Sequence, residues 1–221
     1  MSRHLQREID TLKKKILAVG AMVEESIAKA IAAVIQRDPK LALEVVEADE
    51  AIDQSEVDVE EDCLKILALH QPVAIDLRFV VAVLKINNDL ERMADHAVNI
   101  ARRAEYLATY TDVELPPDLE SMLQKTQTMV RESLDALVHQ DLELARKVCH
   151  ADSDVDQLNR QMHVLIQENI RANPERVEQF IHQLSVSRQL ERIADLATNV
   201  AEDVVYTVEG EIIRHRTASY F

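Results

Sequence analysis

Glycine and tryptophan are nearly missing from this sequence, whose 221 residues include two glycines and no tryptophan. Average usage of about 7% would give roughly fifteen glycines, so most turns that need positive φ angles are excluded. Gly20 and Gly210 alone cannot form a G-x-G-x-x-G dinucleotide motif or a G-x-x-x-x-G-K phosphate loop. With 47% hydrophobic residues, the chain is predicted to be all-α, with a substantial buried core.

Positive charge and long apolar runs are also scarce. The formal net charge of −15 argues against nucleic-acid binding, because phosphate recognition needs clustered lysines and arginines. Apolar runs such as Phe79–Leu84 fall far short of the roughly 20 residues that span a bilayer, and the first residues lack a signal-peptide core. We therefore expect a cytoplasmic protein.

The sequence offers no evident catalytic chemistry. Cys63 and Cys149 lie inside helical apolar patterns rather than in C-x-x-C pairs, so we expect buried free thiols and no disulfide, zinc site or nucleophile. No Ser/His/Asp or Cys/His arrangement can be defended from the sequence. We accordingly predict no catalytic residues and no site for an organic cofactor.

Apolar residues recur at helical spacing along almost the whole chain. Near the N-terminus, steps of four and three residues from Leu5 to Val23 mark the buried stripe of an amphipathic helix. Prolines interrupt this pattern, and Asp38 and Asn173, each preceding a proline, are predicted N-caps. Six helices are predicted, at 4–36, 39–69, 74–110, 117–139, 141–171 and 174–209. Helices this long must lie side by side in bundles.

The chain contains an internal repeat. A shift of 103 residues aligns seven identical residues from Asp38 to Asp53 with those from Asp141 to Asp156. A shift of 100 residues aligns the LERxADxAxN segment that begins at Leu90 with the one that begins at Leu190. The sequence therefore predicts two tandem, related three-helix bundles of antiparallel helices, one at 1–113 and one at 114–221 with a short C-terminal tail.

The repeat includes four acids in each half. Acids four residues apart share a helix face and repel each other unless a cation lies between them. In an antiparallel hairpin, facing residues are equally far from the turn, and Pro72 lies midway between Asp53 and Glu91. The equivalent midpoint in the second half falls at the Asn173–Pro174 break. We therefore predict two metal sites, made by Asp49, Asp53, Glu91 and Asp95 and by Asp152, Asp156, Glu191 and Asp195, with Asn99 and Asn199 as candidate additional ligands.

Converging carboxylates raise one another's pKa and favour a bound cation. Oxygen ligands suit hard divalent or trivalent ions such as iron, manganese or magnesium, and bridging carboxylates permit a multinuclear site. His96 and His163 are candidate outer ligands, although a surface or core-edge position is the favoured interpretation for both. Arg92 and Arg192 directly follow the two glutamates, and we expect them to pair with neighbouring acids.

Two other interpretations of the acids stay open. A carboxylate-bridged bundle that stores metal or cycles its redox state is one, but the Glu-x-x-His motif of ferritin-like di-iron proteins is absent, since no histidine has a glutamate three residues before it. The other is a metal-independent helical adaptor, in which the acids are solvated faces of a chain with 40 Asp and Glu residues. The twofold repetition of the acid pattern argues against this second interpretation.

The segments Gln71–Arg78 (QPVAIDLR) and Leu90–Ala97 (LERMADHA) resemble the signature of the PhoU family, the accessory proteins of the phosphate-specific transport system. The resemblance extends over essentially the whole chain, including the closing Val208–His215 segment. It implies two spectrin-repeat-like bundles whose E(D)-x-x-x-D motifs bind metal clusters at the eight acids named above. Met93-Ala94 stands where the family more often has Ile-Gly, and the first segment has no close copy in the second half.

The resemblance also implies a function without catalysis. Such a protein is expected to be a cytoplasmic, homodimeric negative regulator of phosphate uptake and of the phosphate-starvation response, the Pho regulon. It would link PstB, the ATPase subunit of the Pst phosphate ABC transporter, to the membrane sensor kinase PhoR. The sequence shows no phosphate pocket, so direct sensing of phosphate is not predicted.

Overall fold

The structure is a computed structural model that describes residues 3–110 and 114–210. Within these ranges the backbone forms six long helices and one short 3₁₀ turn, without a strand, which confirms the all-α prediction. The helices are α1 (Arg3–Gln36), α2 (Pro39–His70), α3 (Ile75–Leu107), α4 (Pro117–His139), α5 (Leu142–Ala172) and α6 (Val177–Glu209). None of these described helices is long and apolar enough to cross a membrane.

Side-chain capping explains two helix starts. The Asp38 carboxylate accepts a hydrogen bond from the Lys40 amide at 2.8 Å, and Asp141 accepts one from the Leu144 amide at 3.0 Å. Both satisfy amides that have no partner within the helix. The N-cap predicted at Asp38 is therefore confirmed.

The predicted start of the last helix is wrong. Asn173 ends α5, because its amide donates to the Asn169 carbonyl at 2.8 Å, and its side chain makes no capping hydrogen bond. Pro174–Arg176 forms a 3₁₀ turn, and α6 begins only at Val177. The corresponding connection in the first half is different again, since Gln71 and Ala74 both have positive φ angles, of 45° and 51°.

The two halves are three-helix bundles that share one continuous core. α3 packs against α1 and α2, α6 packs against α4 and α5, and α3 and α6 pack against each other. Leu90 on α3 and Leu190 on α6, which are equivalent in the repeat, are both fully buried. The hydrophobic stripes of the two central helices therefore hold each half together and join the halves.

The halves also meet where α1 lies against α4. A Cβ atom added at Gly20 would lie 2.9 Å from Leu134 Cδ2, so the missing side chain allows the two helices to approach closely. An ion pair also joins the two halves, between α3 and α6. Lys85 Nζ on α3 lies 3.2 Å from Oδ1 of the buried Asp203 on α6. The relative position of the halves is thus set by apolar and charged contacts together.

Candidate metal sites

The first acid cluster lies between α2 and α3. Burial raises the pKa of Asp49 most, and the negative charges of Asp53 on its own helix and Asp95 on α3 raise it further, while Arg102 opposes the rise. Burial also raises the pKa of Glu91, followed by the charges of Asp95 and Asp53. Acids on each helix are therefore close enough to act on those of the other, and the hairpin brings the four predicted residues together.

One atom of this cluster lacks a partner. Oδ1 of Asp49 is shielded from solvent and accepts no hydrogen bond from the described residues. A buried carboxylate oxygen without a donor is costly unless a cation approaches it. Asn99 is half-buried on α3, one turn beyond Asp95, where its amide oxygen is of the right chemistry for a hard ion.

A fifth acid, Glu56, extends the first cluster and was not predicted. Burial and the charges of Glu60 and Asp53 raise its pKa, and its Oε1 accepts a hydrogen bond from Nδ2 of the buried Asn87 at 3.2 Å. The sequence does contain a signal for Glu56, namely a polar residue on the apolar stripe of α3. Asn87 interrupts that stripe and needs a polar partner on a neighbouring helix.

The second acid cluster lies between α5 and α6. Burial raises the pKa of Asp152 to about 6, helped by the charges of Asp195 and Asp156 and opposed by the Thr198 hydroxyl. The pKa of Glu191 is raised by burial and then by Asp195 and Asp156. Asn199 is half-buried on α6, one turn beyond Asp195. The hairpin thus brings together the second predicted group of acids.

Two arginines lie near these acids. Arg92 Nη1 is 3.7 Å from Oδ1 of Asp89, and the positive charge of Arg192 lowers the pKa of Glu191 and Asp195 against the effect of burial. The Arg92 contact agrees with the expected pairing with a neighbouring acid, whereas Arg192 acts on its neighbouring acids through its charge. His96 lies with both arginines in a crevice of about 310 Å³ between α3 and α6, and burial followed by the arginine charges lowers its pKa.

His163 is half-buried on α5, and a ligand role for it stays a prediction. The two cysteines are as expected. Cys63 and Cys149 are free and buried, and burial raises the pKa of both thiols to about 12. A thiol with such a pKa is almost entirely protonated at neutral pH and is a poor nucleophile or metal ligand.

A third group of ligand-type side chains was not predicted. In the described part of the chain, His4, Glu8 and His70 are the one set of three histidine, cysteine or acidic residues whose ligand atoms all lie within 4.8 Å of one another. The carboxylates of the two acid clusters are more widely spaced, as repelling charges should be. The midpoint rule would have found this group, because Arg37, at the turn between α1 and α2, lies midway between His4 and His70.

Comparisons with known proteins agree on one family. The family model described as "PhoU domain" matches residues 5–104 and 119–204, one match for each half of the repeat. The chain is 38% identical over 212 residues to the phosphate-specific transport system accessory protein PhoU homolog of Aquifex aeolicus, covering 96% of each chain. It is 35% identical over 221 residues to the homolog of Pseudomonas aeruginosa, covering 97% of this chain and 89% of the other.

Solved structures give the same answer. The crystal structure of PhoU from Pseudomonas aeruginosa superposes with a TM-score of 0.89 at 34% identity, covering 93% of this chain and 99% of that one. The phosphate transport system regulatory protein PhoU from Streptococcus pneumoniae superposes with a TM-score of 0.82 at 28% identity, covering 94% and 98%. Sequence, repeat and three-dimensional arrangement therefore agree, and this chain belongs to the PhoU family.

Proposed function

We propose that this protein is a non-enzymatic regulator of a phosphate transport system, which binds hard metal ions at its two carboxylate clusters and passes the state of the transporter to a sensor kinase. Its expected partners are the transporter ATPase PstB and the kinase PhoR, with a second copy of the chain forming a homodimer. Its output would be negative regulation of the phosphate-starvation response. Through these partners it would act at the cytoplasmic face of the inner membrane.

The observation that carries this proposal is the match of both halves to one family, together with an acid cluster in the same place in each. Relatives that match nearly the whole chain are named accessory proteins of the phosphate-specific transport system. Six long helices offer extended faces for protein partners, and a net charge of −15 can steer encounters with basic surfaces.

The carboxylate clusters suit cations by their chemistry. Each contains carboxylates whose pKa is raised by burial and by neighbouring negative charge, so a cation would relieve both desolvation and repulsion. An ion held by α2 and α3, or by α5 and α6, would supply positive charge and tie the two helices together. The protein side chains would then present a fixed surface to a partner.

The connection between α2 and α3 is the best placed surface for a partner. It carries the QPVAIDLR segment, and within that segment Val73 is 74% exposed and Ile75 is 65% exposed. Leu69, just before it on α2, is also exposed. Exposed apolar side chains clustered at one tip are typical of protein-binding surfaces, and the second half has no copy of this sequence.

Metal content measured by elemental analysis tests the cluster assignment. The protein, purified without chelator or histidine tag, is compared with a first-cluster variant (Asp49→Asn, Asp53→Asn, Glu91→Gln, Asp95→Asn) and the equivalent second-cluster variant (Asp152→Asn, Asp156→Asn, Glu191→Gln, Asp195→Asn). Wild type should carry stoichiometric iron, manganese or magnesium, and each variant should lose about half. A control variant removes four exposed acids from α2 and α3, namely Glu47→Gln, Glu50→Gln, Glu61→Gln and Glu105→Gln.

The same variants separate this function from the alternatives. Pull-down of purified PstB and of the cytoplasmic part of PhoR, with and without added metal, should show binding that the cluster variants weaken and the control variant keeps. Full binding of both partners by a metal-free, folded protein would contradict the role of metal and support the metal-independent adaptor. Metal turnover or redox cycling without partner binding would favour a storage or redox bundle and overturn the regulatory proposal.

A further inference from the structure

The first two turns of α1 and the last residue of α2 contribute a compact group of ligand atoms. Oε1 of Glu8 lies 3.2 Å from Nε2 of His4, and Oε2 of Glu8 lies 2.7 Å from Nε2 of His70. The two imidazole rings meet edge to face, with centroids 5.4 Å apart. Two nitrogens and a carboxylate from two different helices therefore converge on one point.

The packing of His70 leaves its ring nitrogen with Glu8 as a close but poorly aligned neighbour. Its side chain is 15% exposed, and its Nε2 atom is shielded from solvent but makes no well-aligned hydrogen bond, despite the short contact with Glu8. A buried ring nitrogen without a hydrogen bond is unfavourable. The geometry places this nitrogen where a shared cation would satisfy it.

We propose that His4, Glu8 and His70 bind a borderline divalent transition-metal ion of the Zn²⁺ class, at a site separate from the carboxylate clusters. Two imidazoles and one carboxylate are a common zinc ligand set, whereas magnesium and calcium prefer oxygen alone. In a tetrahedral site with bonds of about 2.0–2.1 Å, ligand atoms are roughly 3.4 Å apart. The contacts that Glu8 makes with the two histidines are already near that spacing.

The site lies far from the predicted first acid cluster. His70 follows Asp53 by 17 residues on α2, which corresponds to about 25 Å along the helix. The second half of the repeat has no equivalent, because Asn173 stands at the position of His70, and Thr111 and Leu115 stand at the positions of His4 and Glu8. The ion would thus mark one end of one bundle only.

A bound ion would fasten the first turn of α1 to the end of α2. Three protein ligands leave a fourth position for water or another ligand, and His4 is 73% exposed, so that position would face solvent. The fastened residues adjoin the α2–α3 connection, where Val73 and Ile75 are exposed. The ion would therefore hold in place the base of that apolar tip.

Imidazole NMR tests the proposal residue by residue. The ¹⁵N-labelled full chain, without a histidine tag and freed of metal, is titrated with Zn²⁺ to three equivalents, and the long-range ¹H–¹⁵N signals of each histidine are followed. The Nε2 signals of His4 and His70 should shift together and saturate, while those of His139 and His150 should not move. Absence of a shift at His4 and His70, or an equal shift at every histidine, would overturn the proposal.

Variants supply the control for zinc that enters the carboxylate clusters. His70→Asn and Glu8→Gln should each weaken zinc binding, read at the His4 signal, by at least about tenfold. His139→Asn is the matched control, since His139 is also the last residue of a helix, and it should change nothing. A variant that combines the substitutions of the first-cluster and second-cluster variants should keep the His4 and His70 shifts, so failure of this site and failure of the carboxylate sites are distinguishable.

Discussion

The two halves of this molecule share a plan but differ in how they meet its requirements. In the first half, Nδ2 of Asn87 on α3 donates to Oε1 of Glu56 on α2 at 3.2 Å. In the second half, the positions equivalent to these residues are Ser187 and Asn159, and the serine hydroxyl donates to the amide oxygen at 2.6 Å. The polar pair stays at the same place in the bundle while both of its members change.

A surface ion pair shows the same exchange. Lys29 Nζ in the first half lies 3.0 Å from Glu25 and 3.1 Å from Glu44. In the second half, a lysine replaces the second glutamate, and Lys147 pairs directly with Glu132. The duplicated architecture therefore preserves contacts between positions rather than residue identities, because what must be satisfied is charge and hydrogen bonding at each place.

The acid clusters are different, since they keep both position and identity. The four acids of each cluster are the same residue types in the same order, although burial and mutual repulsion raise the pKa of several of them. The residues that make the nearby polar contacts differ between the two halves, whereas these carboxylates are identical. This contrast indicates that the acids serve a purpose other than folding.

The largest effect is expected in the shared core. Leu90→Ala and Leu190→Ala should each lower the free energy of unfolding by about 2–5 kcal/mol, since each removes a fully buried side chain and leaves a cavity. Because α3 and α6 pack together, both variants should unfold in a single transition. Urea titration followed by circular dichroism and by hydrogen exchange in each half measures this. Separate transitions for the two halves would show that they fold independently.

The pH dependence of stability should differ between the clusters. The measurement is made with chelator present, so that no metal is bound. The folded-state pKa of Asp152 is about 6, against an ordinary value of 3.8. Protonation of Asp152 therefore stabilises the folded state, and this contribution is complete below about pH 4. That contribution is lost as the pH rises through 6.

Asp152→Asn should therefore raise the free energy of unfolding at pH 7 by roughly 1–2 kcal/mol after allowance for solvent screening, and have little effect at pH 4. Asp49→Asn should act in the same direction but less strongly, because burial and neighbouring charge raise the pKa of Asp49 less than that of Asp152. Urea unfolding at pH 4, 5, 6 and 7 measures both. A variant that is less stable at pH 7 would contradict the burial argument.

The exchanged ion pairs should also respond differently. Lys147→Met should cost up to about 1 kcal/mol, because its partner Glu132 is 15% exposed and would lose its cation. Lys29→Met should cost less, since both of its glutamates are well exposed to water. Thermal unfolding at low salt compares them, with the reversed pair Glu132→Lys/Lys147→Glu as the control. No recovery in the reversed pair would show that Lys147 contributes through packing.

The smallest expected difference concerns the two buried thiols. Both have a pKa of about 12, so at pH 8 each should react with a disulfide reagent at least about 100-fold more slowly than in the urea-unfolded chain. Cys149 is 9% exposed and Cys63 fully buried, so Cys149 should react first. Single Cys→Ser variants assign the two rates. Rapid reaction of Cys63 would reveal local opening of the first bundle that Cys149 does not report.

Much of this architecture was readable from sequence because helices carry their own periodic signal. Apolar spacing and prolines gave the existence of all six helices, and the repeat gave their grouping. The missed start of α6 has a local cause, because a 3₁₀ turn at Pro174–Arg176 separates Asn173 from the first α-helical residue, Val177. The register of the acids followed from hairpin geometry, and their electrostatic coupling across each pair of helices agrees with it.

The sequence by itself determined the helices, the duplication and the four-residue spacing of the acids, since each depends on residues close together in the chain. Only the tertiary structure decided how the halves share a core, how deeply each carboxylate is buried, and that His4, Glu8 and His70 meet. Burial depends on what a neighbouring helix places over a side chain. The site of His4, Glu8 and His70 joins the two ends of a 67-residue segment, so it exists only once α1 and α2 have packed in register.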